Sequence, residues 1–209
     1  SDLIKTLKIP RDYHEAVPML AGLSAKPTDV GRMTLRSHEG KDIRRYFINI
    51  ASFGVGGEVD ERVNRTSKAL GGKASFLWAS LLGSLAYKNK TVSIRVDGGE
   101  PFERRIFLAA VGNGQFFGAG MRVAPAAAVD DGLFDLAILG DFSFFEQLKL
   151  MGSIYKGEHL NLPKVEIMRA RKVEADSSER VLLDVDGEQP GTLPATFEIM
   201  PSAIKVKRP

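Results

Sequence analysis

A chain of 209 residues, 44% hydrophobic and 26% charged, has room for one large domain, or one domain with part of another, and its composition is that of a folded protein rather than a disordered one. It contains no cysteine, which excludes a disulfide framework, a thiolate metal site and a catalytic thiol. The net charge of +3, with a basic run at Lys205-Val206-Lys207-Arg208, suits an anionic membrane surface, acidic substrates or a plain solvated face, and it falls short of the dense basic stripe of a nucleic-acid binder.

In chain order, Asp2–Leu7 and Tyr13–Gly22 read as two short helices interrupted at Ile9-Pro10, with Gly22 closing the second. The texture becomes strand-rich from Thr28. Tyr46-Phe47-Ile48-Asn49-Ile50 reads as a strand running into a Gly-rich turn, Phe53-Gly54-Val55-Gly56-Gly57. Helices are expected over 58–70 and 73–88, the second with Phe76, Leu77, Leu81 and Leu85 on one face. Thr91–Val96, the turn Asp97-Gly98-Gly99 and Phe102–Val111 form the clearest hairpin. Phe134–Leu139 is a strand, followed by a helix opened by the capping box Ser143 and Glu146 and closed by Gly157. Val165–Val206 alternates in short β-runs broken by Gly187, Gly191 and Pro194. The abrupt start suggests that residues 1–26 are the tail of a preceding domain and 27–209 a mainly-β (α+β) domain with two or three helices. The apolar stretch Phe76–Leu85 is too short and too rich in Ser and Gly to span a bilayer, and Ser1–Pro10 lacks the apolar run of a signal peptide, so a cytoplasmic location is expected.

Few segments carry chemistry on composition alone. His14, His38 and His159 lack metal-ligand spacing and are expected on the polar surface. No Gly-x-Ser-x-Gly elbow supports a serine hydrolase. Gly112-Asn113-Gly114-Gln115-Phe116-Phe117-Gly118-Ala119-Gly120 fails as a dinucleotide loop, because Phe117 stands where the third glycine should fall. Its glycines still permit a close approach of backbone to a ligand or to another segment. Asp130-Asp131-Gly132 precedes a strand and Asp184-Val185-Asp186-Gly187-Glu188 ends one. Carboxylates beside glycine at strand ends can ligate Mg²⁺ or accept a hydroxyl proton, although Asp-Gly is also the commonest turn dipeptide.

The order of these segments adds a resemblance. The run from Asn113-Gly114 through Phe116-Phe117-Gly118, Gly120-Met121, Val123-Ala124-Pro125 and Asp130-Asp131-Gly132-Leu133 to Asp135 resembles the central signature of the bacterial diacylglycerol kinase or lipid kinase family, related to sphingosine kinases. Asp186-Gly187-Glu188 resembles that family's later C-terminal motif. Ser1-Asp2-Leu3-Ile4 resembles the segment following its nucleotide loop, with Ser1 in place of the usual Asn. The resemblance covers essentially the whole chain, and no Gly-Gly-Asp-Gly-Thr nucleotide loop occurs in it.

By that resemblance the chain would be the β-sandwich-like C-terminal domain of a two-domain lipid kinase, with a helical remnant of its ATP-binding α/β domain, and would be inactive alone. The parent would transfer the ATP γ-phosphoryl group to a lipid hydroxyl. Asp186 would accept the hydroxyl proton, with Asp184 as its rival two residues away on the same strand face. Asp2, Asn113, Gly114, Gly187 and Glu188 would lie near the nucleotide, Asp2 within the acidic network of the catalytic Mg²⁺. A structural Mg²⁺ would be held by the Asp131 carboxylate and the Ala128 and Leu133 carbonyls. Implied partners are ATP and a lipid such as diacylglycerol at a membrane surface, met peripherally through the basic tail or the Phe76–Leu85 helix, with burial of that helix's apolar face in the core as the preferred alternative for it. An exposed sheet edge offers a homodimer surface. An NAD-kinase-like enzyme and a non-catalytic lipid- or partner-binding β-domain are the alternatives.

Overall fold

The structure, a computed structural model, describes residues 2–58 and 87–209. The helices expected over 58–70 and 73–88, with their apolar face at Phe76–Leu85, lie outside the described residues except for their outermost positions, of which Tyr87 and Lys88 are irregular. The chain opens with α1 (Leu3–Thr6) and α2 (Tyr13–Ala21), as the sequence predicts. The Asp12 carboxylate fixes the start of α2 by accepting the His14 N–H at 2.8 Å.

The strands β1 (Ala25–Ser37), β2 (Asp42–Phe47), β4 (Lys90–Val96), β5 (Phe102–Ile106), β9 (Lys172–Asp176) and β11 (Gly191–Lys207) build a six-stranded sheet in the order β2-β1-β11-β9-β4-β5. The strands β3 (Ile50–Gly54), β6 (Leu108–Gly112), β7 (Phe134–Leu139), β8 (Val165–Ala170) and β10 (Leu183–Val185) build a second sheet of five, ordered β10-β3-β6-β7-β8. Every pairing is antiparallel.

Met33, Leu35, Phe47, Ile94 and Phe197 from the first sheet meet Phe53, Phe134, Leu136 and Ile138 from the second in one core. Two ring pairs cross between the sheets, Phe47 with Phe134 at 5.5 Å and Phe53 with Phe197 at 5.9 Å between centroids. β3, β6 and β7 are buried along their whole length because the second sheet is covered on both faces. Its far face carries Ile50, Leu108, Ala110, Ala137 and Leu139, packed under Leu150 and Ile154 of α3 (Phe144–Ile154) and under Val123, Ala124 and Ala127 of the irregular segment before β7. That double burial explains why these strands read as continuous apolar runs, whereas β1 and β4 alternate. The fold class is the expected one, a mainly-β sandwich with a few helices.

Several local expectations are corrected. The strand expected over Tyr46–Ile50 breaks at Ile48-Asn49, because β2 belongs to one sheet and β3 to the other. The run Phe102–Val111 breaks at Phe107 for the same reason, where the Phe107 N–H leaves the ladder for the Leu139 and Gly140 carbonyls at 2.9 and 3.0 Å. The Gly-rich turn Phe53–Gly57 is instead the end of β3 followed by helical residues 55–58. Gly191 and Pro194 do not break the last β-run: β11 continues for 17 residues. Its register against β1 jumps from Ala195 to Thr192 and from Ile204 to Met200, so Pro194 and Pro201 fall in bulges where no ladder N–H is needed. His159 is not on the surface. It sits fully buried in the 3₁₀ turn Glu158–Asn161 and donates Nε2–H to the Val123 carbonyl at 3.0 Å, and burial pushes its imidazole below the ordinary 6.5.

Candidate functional site

β10 reverses at Asp186-Gly187, with φ of +51° and +90°, and the reversal is closed by Val185 N–H to the Glu188 carbonyl at 2.8 Å and Glu188 N–H to the Val185 carbonyl at 3.0 Å. Positive φ at both central residues is the type I′ geometry that Asp-Gly favours. It also turns Asp186 off the strand. Asp184 stays within β10, so the two aspartates do not share a strand face as expected. Asp184 is buried, with Oδ1 accepting the Gly187 N–H at 2.8 Å and Oδ2 within 3.5 Å of the Ser52 hydroxyl, whereas Asp186 is exposed.

The Asp186 side chain faces the corner between β2 and β3. Oδ2 accepts the Ile48 N–H at 2.9 Å, and Oδ1 accepts the Asn49 and Ile50 N–H groups at 3.2 and 2.9 Å. The Asp186 N–H returns to the Ile50 carbonyl at 3.0 Å. Three consecutive amides thus close on one carboxylate. Oδ1 has two donors on its two lone pairs, while Oδ2 keeps one lone pair for a further donor. Desolvation by the surrounding chain pushes the Asp186 carboxyl above the ordinary aspartate value, the three N–H donors pull it back, and the Glu188 charge adds to the rise.

The other side of the same corner holds the Gly-rich loop. The Asn49 carbonyl accepts the Asn113 and Gly114 N–H groups at 2.9 and 2.8 Å, and the Asn49 side-chain amide donates to the Phe116 carbonyl at 2.9 Å. Asn113 is wholly buried and spends its amide on the Ile48 and Asp29 carbonyls at 2.7 and 3.1 Å, so it braces the corner from within. Gly114 lets the loop come close: a Cβ would stand 2.2 Å from Asn49 Oδ1, and the Asn49 side chain would have to shift. From the loop the network reaches α1. The Gln115 N–H donates to the Thr6 hydroxyl at 2.9 Å and the Ala119 N–H to Asp2 Oδ2 at 2.9 Å, while Lys5 lies 3.3 Å from Asp2 Oδ1. Lys5 and Arg122 both stand over the Phe116 ring at 5.7 Å. Asp2, Asn113, Gly114, Asp186, Gly187 and Glu188 therefore belong to one continuous surface and its bracing. The Gly187 N–H is already committed to Asp184, and Glu188 is exposed beside the turn.

The residues expected around a structural metal lie in the segment that leads into β7. Asp131 Oδ1 accepts the Leu133 N–H at 3.0 Å, and Oδ2 is held by the Arg169 guanidinium, whose Nε also lies 3.4 Å from buried Asp135. Desolvation pushes the Asp135 carboxyl up and Arg169 draws it down. The expected set is a single carboxylate with the Ala128 and Leu133 carbonyls; among the described residues no group of three or more His, Cys, Asp or Glu side chains gathers for a metal. Hard oxygens are the ligand type Mg²⁺ takes, and here both Asp131 oxygens are engaged, one by the Leu133 N–H and one by Arg169.

Two residues of this architecture escaped the sequence reading. Asn49 is the polar interruption of an apolar run, and that interruption was the available signal. Asp29, 1% exposed within β1, accepts the Gly132 and Ser202 N–H groups, each at 2.7 Å, and so ties the loop carrying Asp131 to the bulge of β11. A lone acid inside a strand was its signal.

The family model described as the YegS C-terminal NAD kinase beta sandwich-like domain matches residues 49–208. The chain belongs to this family. A "Diacylglycerol kinase" of Staphylococcus carnosus (strain TM300) is 30% identical over 209 residues, covering 100% of this chain and 65% of the relative. A "Diacylglycerol kinase" of Bacillus subtilis (strain 168) is 29% identical over 198 residues, covering 94% of this chain and 62% of the relative. The chain thus spans a little under two thirds of the length of these curated relatives, which carry the kinase name that its motifs resemble. The crystal structure of a diacylglycerol kinase from Bacillus anthracis str. Sterne superposes with a TM-score of 0.72 at 21% identity, over 100% of this chain and 65% of that one, and shows the same sandwich fold. Among the described residues no helix is long and apolar enough to cross a membrane.

Proposed function

We propose that this chain forms the acceptor-side part of a kinase that moves the γ-phosphoryl group of ATP to the hydroxyl of a lipid such as diacylglycerol. The observation that carries the reading is the corner at Ile48–Ile50, where the three motif segments, Asp186-Gly187-Glu188, the Asn113–Gly120 loop and α1 with Asp2, are bound into one surface. The substrate O–H donates to the open lone pair of Asp186 Oδ2 and passes its proton there as the oxygen attacks the γ-phosphorus and ADP departs. The exposure of Asp186 and the burial of Asp184 support Asp186 as the acceptor. Asp2 and Glu188 are the carboxylates best set for the nucleotide side of this surface. Bound Mg²⁺ there would neutralise phosphate charge. When the intact gene product is incubated with Mg²⁺, γ-labelled ATP and diacylglycerol vesicles, label is expected in the lipid fraction. Label in NADP instead, with NAD supplied, would return the NAD-kinase-like alternative, and label in neither would leave a non-catalytic binding domain.

The second proposed role, a structural Mg²⁺ on Asp131, Ala128 and Leu133, has its own test. For the metal to take both Asp131 oxygens, Arg169 must move onto Asp135. Mg²⁺ should raise the melting temperature, since an ion that binds only the folded state at a hundred times its Kd adds about 2.7 kcal/mol. In Arg169→Gln the baseline should fall, because buried Asp135 loses its partner, while half-maximal stabilisation should move to lower Mg²⁺ concentration. Melting that ignores Mg²⁺ in both proteins would remove the site.

A further inference from the structure

The outward face of α3 is built against the usual pattern. Its buried stripe is Gln147, Leu150 and Ile154, which seals the second sheet. A helix so seated ordinarily shows water a polar back. Here Phe144, Phe145, Leu148 and Tyr155 are 48, 80, 46 and 46% exposed. Phe144, Leu148 and Tyr155 follow one another at helical spacing, and Phe145 starts the neighbouring row that continues through Lys149, Gly152 and Lys156, all exposed. Neither lysine has an ion-pair partner among the described residues. The one acid of the helix, Glu146, is spent: it accepts the Ser143 N–H and hydroxyl at 2.8 and 2.7 Å and the Lys164 ammonium at 2.8 Å. Over residues 144–156 the exposed side chains are therefore aromatic and aliphatic, with two lysines that lack an ion-pair partner and no unpaired acid, and the next exposed acid is Glu158, beyond Gly157.

We infer that this face of α3 docks on an anionic lipid bilayer. Aromatic rings that insert at headgroup depth, flanked by lysines that meet lipid phosphates, are the chemistry of an interfacial helix. A second copy of the chain fits less well, because a twofold contact through this face would crowd like-charged lysines with no acid to answer them. The end of α3 is tied to the loop of the candidate site: the Ile154 carbonyl accepts the Arg122 N–H at 3.0 Å, and Arg122 stands over Phe116 in the loop that receives Asp2 and Thr6. The inference deepens the lipid-kinase reading, yet its test needs no phosphoryl transfer.

The test is co-sedimentation of the chain with phosphatidylglycerol-containing vesicles and with pure phosphatidylcholine vesicles. Binding is expected to favour the anionic vesicles and to weaken with salt. Phe145→Ser with Leu148→Ser should reduce partitioning at least about tenfold, as two apolar insertions are lost. Lys149→Ala with Lys156→Ala should reduce it about thirtyfold, at roughly 1 kcal/mol per lysine. Tyr13→Ser with Val17→Ser, on the exposed face of α2, should leave it unchanged. All these positions are exposed, so circular dichroism should report an unaltered fold. Absence of vesicle binding, or binding that neither α3 pair weakens, would overturn the inference. A dimer in sedimentation velocity that Phe145→Ser dissociates would overturn it too, giving the face to a second copy. A protein that binds vesicles through α3 but moves no phosphate would sink the kinase reading and leave the docking surface standing.

Discussion

Asp29→Ala is expected to cost about 4 kcal/mol of stability, although the Asp29 carboxylate lies outside the proposed reaction centre. Its carboxylate is buried, and each oxygen takes one backbone N–H at 2.7 Å, from Gly132 and Ser202. Hydrogen bonds to a charged acceptor contribute about 1.5–3 kcal/mol each, and removing the acceptor leaves its donors without partners. Ser202 is held at a φ of +52°, a conformation that a residue with a Cβ keeps only when its surroundings enforce it. The backbone of Asp29 is committed as well, its N–H to the Val129 carbonyl at 2.7 Å and its carbonyl to Asn113 at 3.1 Å. One residue thus fastens the Asp131 loop, the β11 bulge and the brace of the Ile48–Ile50 corner. Asp29→Asn keeps one good acceptor and should lose about half as much. Urea denaturation at neutral pH reads both; a loss under about 1 kcal/mol in Asp29→Ala would mean that water replaces the carboxylate.

Asp186→Ala should destabilise the fold by about 3 kcal/mol, because three consecutive N–H groups lose their acceptor and that of buried Ile50 has no ready access to water. Asp186→Asn is the sharper variant. Its amide oxygen can serve Asn49 and Ile50, but its NH₂ would then face the Ile48 N–H, donor against donor, and about 1–2 kcal/mol should be lost. The charge adds a pH dependence. With the folded-state carboxyl raised, the unfolded chain releases its proton first, so this group's contribution is fully present below the ordinary aspartate pKa and is lost as pH rises through the folded value. Denaturation of the wild type and of Asp186→Asn across the acid range should therefore show a wild-type advantage that shrinks as pH rises through that window. A constant difference would deny the raised pKa.

The sandwich was legible in the sequence wherever local pattern and tertiary role agree. The Thr91–Val96 strand and its Asp97-Gly98-Gly99 turn, the Phe134–Leu139 run and the Ser143/Glu146 capping box all express short-range rules. The corners were not legible. Phe107 sits inside a run that looks unbroken and Ile48-Asn49 is marked only by one polar residue, so the partner sheets decide that the chain must change sheet there. Pro194 looked like a breaker because the sequence does not show that its strand bulges at that position. At the site, the motif residues were found by resemblance, and their division of labour came from geometry. Asn113 proves to be a buried brace, Gly114 a point of close approach, and Asp184 an anchor for the Gly187 N–H, while Asp186 is left exposed with one free lone pair. Asn49 and Asp29, which hold these parts in place, carry no motif: the Asn49 carbonyl and side-chain amide and the Asp29 carboxylate bind backbone groups far away in sequence, and such partners leave no local pattern.

The most direct measurement of the central claim is the turnover of Asp186→Asn in the intact gene product, phosphorylating a lipid from ATP, at a temperature where denaturation shows the variant to be folded. The account predicts a kcat lower by about 10²–10⁴, the usual worth of a positioned general base, with the KM for ATP little changed. Wild-type turnover by the folded variant would contradict it and take the reaction away from this corner.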